Sequence, residues 1–201
     1  MDTQSSKLTA RWQGRVQSVE ATIEDLKALG HPVRWRILRL CLDRAFTNKE
    51  LSVELDLAPA TTLRHVRALV KTDFLVAEPV CTGEHGALQR PYRATARTRG
   101  LIIPPDDSGL AQQVDLAVLG AHRTELIAAG KDSGRGAKRG VLRLRPESVD
   151  ALHRRIEALI AECADEADGE PLSYLWSLAA RPPIDPDPRE NNGSGTIDRS
   201  T

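Results

Sequence analysis

The chain has 201 residues, of which 40% are hydrophobic and 28% charged, and its formal net charge is +0. That length accommodates one large domain or two small ones, and the composition is that of a soluble globular protein. No apolar run approaches the roughly 20 residues of a membrane span. The N-terminal MDTQSSKLTARWQGR lacks the apolar segment of a secretory signal. Three cysteines, Cys41, Cys81 and Cys163, are too few and too scattered for a disulfide framework, which points to a reducing cytoplasm.

In chain order, residues 1–15 read as a polar, flexible arm. From Val16 to Leu29 the apolar positions 16, 19, 23, 26 and 29 follow helical spacing, and Gly30 stops that helix. Pro32 suits the first turn of the next helix, in which Val33, Ile37, Leu40 and Cys41 share one face. Cys41 on that stripe reads as a small buried hydrophobe.

Thr47 to Phe74 reads as two short helices joined by a tight turn. Thr47 and Glu50 have the spacing of a capping box, and Leu51 and Leu55 form an apolar stripe. Asp56 enters the left-handed region at low cost, and Pro59 opens the second helix. There Thr62, Val66, Leu69 and Val70 face inward, while Thr61, Arg64, Arg67 and Lys71 face outward. An apolar-backed helix with a basic outer face after a short turn is the design of a DNA-reading helix-turn-helix. The same pattern also fits a plain helical hairpin with solvated charges.

After Phe74 the period changes. Extended pieces flank a Gly83/Gly86 loop, which reads as a hairpin, or wing, over residues 77–95. Arg90 and Arg93 fall on its second strand, where a wing carries cations to the phosphate backbone or the minor groove. Charge is unevenly distributed. Residues 27–97 hold twelve Lys/Arg against seven Asp/Glu, whereas residues 146–190 hold four against eleven. Such asymmetry points to a polyanion partner for the basic part.

The run LIIPP at Leu101–Pro105 closes a first domain, over residues 16–105, with a proline stop. A long helix over 108–130 follows, with Ser108 as its N-cap and Gly130 as its stop. Next come a Gly-rich basic loop, an alternating VLRLR strand (141–145) and a helix from Pro146 to about Ala164. Val149, Leu152, Ile156, Leu159 and Cys163 form an apolar seam on this helix. LSYLWSLAA (172–180) reads as a closing strand because aromatics cluster there. Residues 106–181 thus form a second region, and the polar, Pro/Gly-rich tail 182–201 reads as disordered.

LKALGHPVRWRIL (26–38), LDLAPATTLRHVRALVKTDFLV (55–76) and RPYRAT (90–95) together resemble the winged helix-turn-helix repressors of the arsenic-repressor (ArsR) type, over about residues 20–97. The remainder is similar to the C-terminal part of a longer-chain subgroup. The resemblance implies an α+β, mainly α fold: a winged helix-turn-helix domain followed by a smaller helical and strand region for dimerisation or sensing. It implies that Ala60, Thr61, Leu63 and Arg64 face the major groove, with Arg64 a natural partner for guanine. His65 and Arg67 match polar positions that brace the helix or touch phosphate. With Lys71 on the outer face and Arg90 and Arg93 on the wing, these make up the expected DNA-binding set.

Two departures stand out. The family usually has Ser at the position of Ala58, so the reading helix lacks a side-chain cap, and Leu63 also replaces a common Ser. The paired-cysteine metal motif is missing from NKELSVELD. Asp150, His153 and Glu157 on one helix face, His122 with Glu125, and Cys81 with His85 have spacings that ordinary helices and loops produce freely. No metal and no cofactor is therefore expected.

No phosphate-binding glycine loop, nucleophile elbow or paired-cysteine zinc pattern is present, so a non-enzyme is expected. The resulting expectation is a dimeric, sequence-specific regulator of transcription, a repressor bound to double-stranded DNA and associated with the nucleoid in the cytoplasm. The helices 16–29 and 146–164 are its candidate dimer surfaces. Alternative readings are a winged-helix protein-interaction module, or a regulator whose unknown small-molecule effector sits in a C-terminal pocket.

Overall fold

The computed structural model describes residues 19–82, 86–104, 106–138, 140–163 and 172–180. The expected arm 1–15, the tip of the wing loop at 83–85 and the tail 182–201 lie outside them. Helix α1 covers Ile23–Leu29, α2 Pro32–Asp43, α3 Asn48–Leu55 and α4 Pro59–Lys71, with α5 at Leu110–Ala129 and α6 at Pro146–Cys163. The strands are β1 Val19–Glu20, β2 Phe46–Thr47, β3 Leu75–Ala77, β4 Cys81–Thr82, β5 Leu88–Gln89, β6 Pro91–Ala94 and β7 Leu101–Ile102. The chain is thus mainly helical with small sheets, an α+β winged-helix arrangement.

The N-terminal helix is shorter than its apolar spacing predicts. Val19–Glu20 instead pairs in parallel with Leu101–Ile102, and the helix begins after Thr22. A capping box holds that start: Asp25 N–H donates to Thr22 Oγ1 at 3.2 Å, and Thr22 N–H donates to Asp25 Oδ2 at 2.9 Å. At its other end all four terminal carbonyls find donors. Gly30 N–H takes Leu26 O at 2.8 Å. Arg34 Nη1 donates to Lys27 O and Ala28 O, and Trp35 Nε1 donates to Leu29 O, all at 2.8 Å.

The helix-turn-helix forms as the local signals predict. Thr47 and Glu50 make their capping box. Asp56 sits in the left-handed region at φ 52°, and Leu57 N–H reaches back to Ser52 O at 3.0 Å, closing α3 with a Schellman turn. Ala58 gives α4 no side-chain cap. The same closing turn recurs after α4, where Asp73 has φ 57° and Phe74 N–H donates to Leu69 O at 2.9 Å. That turn delivers the chain into the wing.

In the wing, β6 lies between β2 and β3, antiparallel to both. Pro91, at the first residue of β6, occupies a position where a missing N–H is tolerated. Further out, β4 pairs with β5. One core runs beneath all of this: Leu29, Ile37, Cys41, Leu51, Val66, Leu69 and Phe74 are fully buried, and Val114 of α5 joins them. Burial pushes the Cys41 thiol up to about 12, so it stays protonated and packs as a small hydrophobe in the core.

Beyond the core two expectations fail and one is corrected. Residues 141–145 and 172–180 form no strand; the alternation in VLRLR finds no ladder partner among the described residues. Ser108 does not cap α5. Asp106 does so, accepting from Leu110 N–H and Ala111 N–H at 3.1 Å each, while Ser108 Oγ donates to that same carboxylate. Gly130, at φ 86°, ends the helix as expected. Helix α6 forms where Pro146-Glu147 predicts, but it buries no side chain: Val149, Leu152 and Ile156 are half-buried, and Leu159 and Cys163 are exposed. No described helix is long and apolar enough to cross a membrane.

Candidate nucleic-acid interface

Helix α4 separates its faces sharply. Thr62, Val66 and Leu69 are buried and Val70 half-buried, whereas Ala60, Arg64, Arg67 and Lys71 are exposed. Residues 60, 64, 67 and 71 follow one another at intervals of three and four, so the cations form a stripe along a single outer line. Thr61 and Leu63 flank the stripe and are half-buried. Among the described residues no carboxylate pairs with Arg64, Arg67, Lys71 or Arg90. A row of cations without acidic partners, on a helix anchored by its opposite face, presents charge-assisted donors to an external polyanion.

Two residues of the expected set are drawn back from this face, His65 into the bracing position that is one of its two expected roles. His65 is only 5% exposed. Its ring lies 4.5 Å from that of His31, and its Nδ1 accepts from Arg34 Nε at 3.4 Å. Burial, then the neighbouring His31, Arg34 and Arg64, push its imidazole down to about 4. It is a neutral bracing group beneath the surface, since position 65 falls on the inner side of the helix next to Thr62 and Val66. Arg93 is likewise withdrawn: its Nε donates to Glu78 Oε1 at 2.6 Å across β3 and β6, and the pair is mostly covered. Arg90, in the bend between β5 and β6, stays exposed.

Sequence reasoning passed over Asp25 and Arg97. Arg97 grips Asp25 with both Nη atoms, at 2.6 and 2.8 Å, and donates to Thr72 O at 2.9 Å. Its guanidinium lies 4.6 Å from the centre of the Phe74 ring. Because Thr72 is the C-cap of α4, this contact ties the end of that helix to α1. The bond from Arg97, ahead of the Thr22 contacts, holds the Asp25 carboxyl below the usual range. The Thr22–Asp25 spacing is the one local signal that could have drawn attention to Asp25. Thr95 pins the root of the wing, donating from Oγ1 to Asp73 O at 2.8 Å.

The other titratable candidates do not converge. Among the described residues no three of His, Cys, Asp and Glu come together as a metal-binding group. His153 packs edge-on against Trp176, and Glu125 accepts from Ser173 Oγ at 3.1 Å. Cys81 is exposed on the wing, and His85 lies outside the described residues. A shallow cleft of about 450 Å³ lies between α3 and the wing, lined in part by Arg44, Lys49, Glu50, Glu54 and Gln89. Arg44 is already paired with Glu50 at 2.8 Å.

No protein-family model matches the chain, and no curated protein matches it. Among solved structures it is similar to the transcriptional repressor BigR from Xylella fastidiosa, with 21% identity, 53% of this chain and 84% of that chain covered, and a TM-score of 0.31. Reduced HlyU from Vibrio cholerae gives 18% identity, 61% and 97% coverage and a TM-score of 0.31. The heme sensor protein PefR from Streptococcus agalactiae, in complex with heme, gives 16% identity, 83% and 91% coverage and a TM-score of 0.31.

Proposed function

We propose that this chain is a sequence-specific, double-stranded-DNA-binding regulator of transcription, without catalytic activity, of the ArsR-like winged-helix type. The observation that carries this reading is the basic stripe Arg64, Arg67 and Lys71, which has no acidic partner among the described residues, on a helix whose other face is sunk in the core. Helix α4 lies in the major groove. Ala60, Thr61, Leu63 and Arg64 meet base edges there, while Arg67 and Lys71 meet phosphates. Arg90 on the wing contacts the backbone or the minor groove. Uncapped N–H groups at the start of α4 suit a phosphate as well.

One such helix reads only a few base pairs. A dimer on half-sites one helical turn apart supplies the rest of the specificity, and repression is the mode of control that the ArsR-like reading implies. The apolar surface left exposed on α5 and α6, including Leu126, Ile127 and Leu159, supports self-association, and the same surface favours a protein-interaction role as the second reading.

Two substitutions separate base reading from backbone contact. Arg64→Ala is expected to cost about 1–3 kcal/mol on a preferred duplex and to relax preference at one position per half-site. Arg90→Ala is expected to weaken all duplexes alike and to reduce the salt slope by about one. Electrophoretic mobility shifts over a panel of singly mutated duplexes check both. The reverse pattern would mean that the wing reads sequence and the helix does not.

A further inference from the structure

The inner face of α4 carries a polar contact that packing alone does not require. His65 is buried between α2 and α4 at a position where leucine would fill similar space without a polar atom to satisfy. Its partner Arg34 sits at a junction of three helices. One guanidinium donates through Nη1 to Lys27 O and Ala28 O, in the last turn of α1, and through Nε to His65 Nδ1 on α4, while its own backbone belongs to α2. The ring of His31, the residue before α2, lies 4.5 Å from that of His65, tilted against it. The His31 ring is fixed in turn, because its Nδ1 accepts from Val33 N–H at 3.2 Å.

We propose that Arg34 and His65 are positioning residues that set the roll of α4 about its axis, and so the aim of Thr61 and Arg64 at base edges. The proposal rests on α4 being the DNA-reading helix. Arg64 adjoins His65, and Thr61 lies one turn before it at the half-buried edge of the stripe, so the direction of the imidazole bears on where both side chains point. Apolar contacts of Val66 and Leu69 are non-directional and tolerate a small rotation. The Arg34–His65 bond does not, because the guanidinium is planar and already committed to two carbonyls of α1. At 3.4 Å this bond is long, and the His31 ring packed at 4.5 Å shares with it in holding the imidazole. Buried polar groups are used elsewhere to specify one arrangement among several of similar stability. Contacts to bases lose value when displaced by a fraction of an ångström, whereas attraction to phosphates does not.

The test uses the full chain, a duplex selected by the wild-type protein from random DNA and a scrambled duplex of equal length, with affinities measured by fluorescence anisotropy. His65→Leu is expected to keep its melting temperature and its binding to the scrambled duplex, while losing about tenfold of its preference for the selected one. His65→Asn, which places an acceptor where Nδ1 was, is expected to retain most of that preference. Arg34→Lys keeps the charge but loses the planar fork, so it is expected to behave like His65→Leu and provides the readout if the leucine variant unfolds. An unchanged preference in His65→Leu and Arg34→Lys, or an equal loss on both duplexes, overturns the proposal. A wild-type protein that prefers no duplex defeats the DNA-reading assignment itself, a different result from a variant that keeps its preference.

Discussion

Replacing Arg97 with methionine is expected to lower the unfolding free energy by about 3–5 kcal/mol, the range for removing one partner of a buried ion pair. Asp25 is 2% exposed, and Arg97 supplies two of the bonds to its carboxylate. The remaining contacts both come from Thr22, its N–H and its side chain, too little to replace a guanidinium beside a buried charge. Thr72 O at the end of α4 loses a donor as well. Methionine preserves much of the aliphatic stem over Phe74, so lost packing is a small part of the effect. Urea unfolding followed by circular dichroism measures the loss, and Asp25→Asn combined with Arg97→Met is expected to restore part of it by removing the stranded charge. A single variant within 1 kcal/mol of wild type, an order-of-magnitude threshold for exposed pairs, would show that the pair behaves like a surface salt bridge.

The second large effect is a loss of stability in mild acid. His65 is pushed down from 6.5 to about 4, chiefly by burial and then by His31, Arg34 and Arg64. The unfolded chain takes up a proton on this histidine as pH falls through 6.5, and the folded chain does so only near 4. The contribution is therefore complete above 6.5 and disappears as pH falls toward 4. A shift of this size corresponds to up to about 3 kcal/mol. Asp25 acts in the same direction at lower pH, because its depressed carboxyl contributes stability that is lost as pH falls through its folded value. Urea midpoints between pH 7 and 4 are expected to fall steeply for the wild type and much less for His65→Leu. Parallel curves for the two proteins would place the acid sensitivity elsewhere.

The helix-turn-helix was legible because its signals are local. Thr47, Glu50, Asp56 and Pro59 each act within a few residues, and each takes the conformation its chemistry favours. The inward and outward faces of α4 followed from period alone. What could not be read locally is what other segments supply. Arg97 and Asp25 are 72 residues apart, and nothing near Arg97 marks it as different from a solvated arginine. His65 showed its position on the helix but not its neighbour His31. Val19–Glu20 shares the helical spacing of the residues after it, yet pairing with β7 competes successfully for it. VLRLR has strand alternation, but a strand needs a partner, and the described residues provide none. His65 is buried and Arg93 is half-buried in its pair with Glu78, whereas Arg64, Arg67, Lys71 and Arg90 are exposed.

The central claim is that this surface reads DNA, and equilibrium binding of the full chain to duplex DNA across a salt series tests it most directly. The expected result is tighter binding to a duplex selected from a random pool than to a scrambled one. For a dimer neutralising six or more phosphates, affinity should fall on the order of a thousandfold between about 50 and 200 mM salt. Absence of binding to any duplex at the low-salt end, or equal affinity for selected and scrambled sequences throughout, would contradict it.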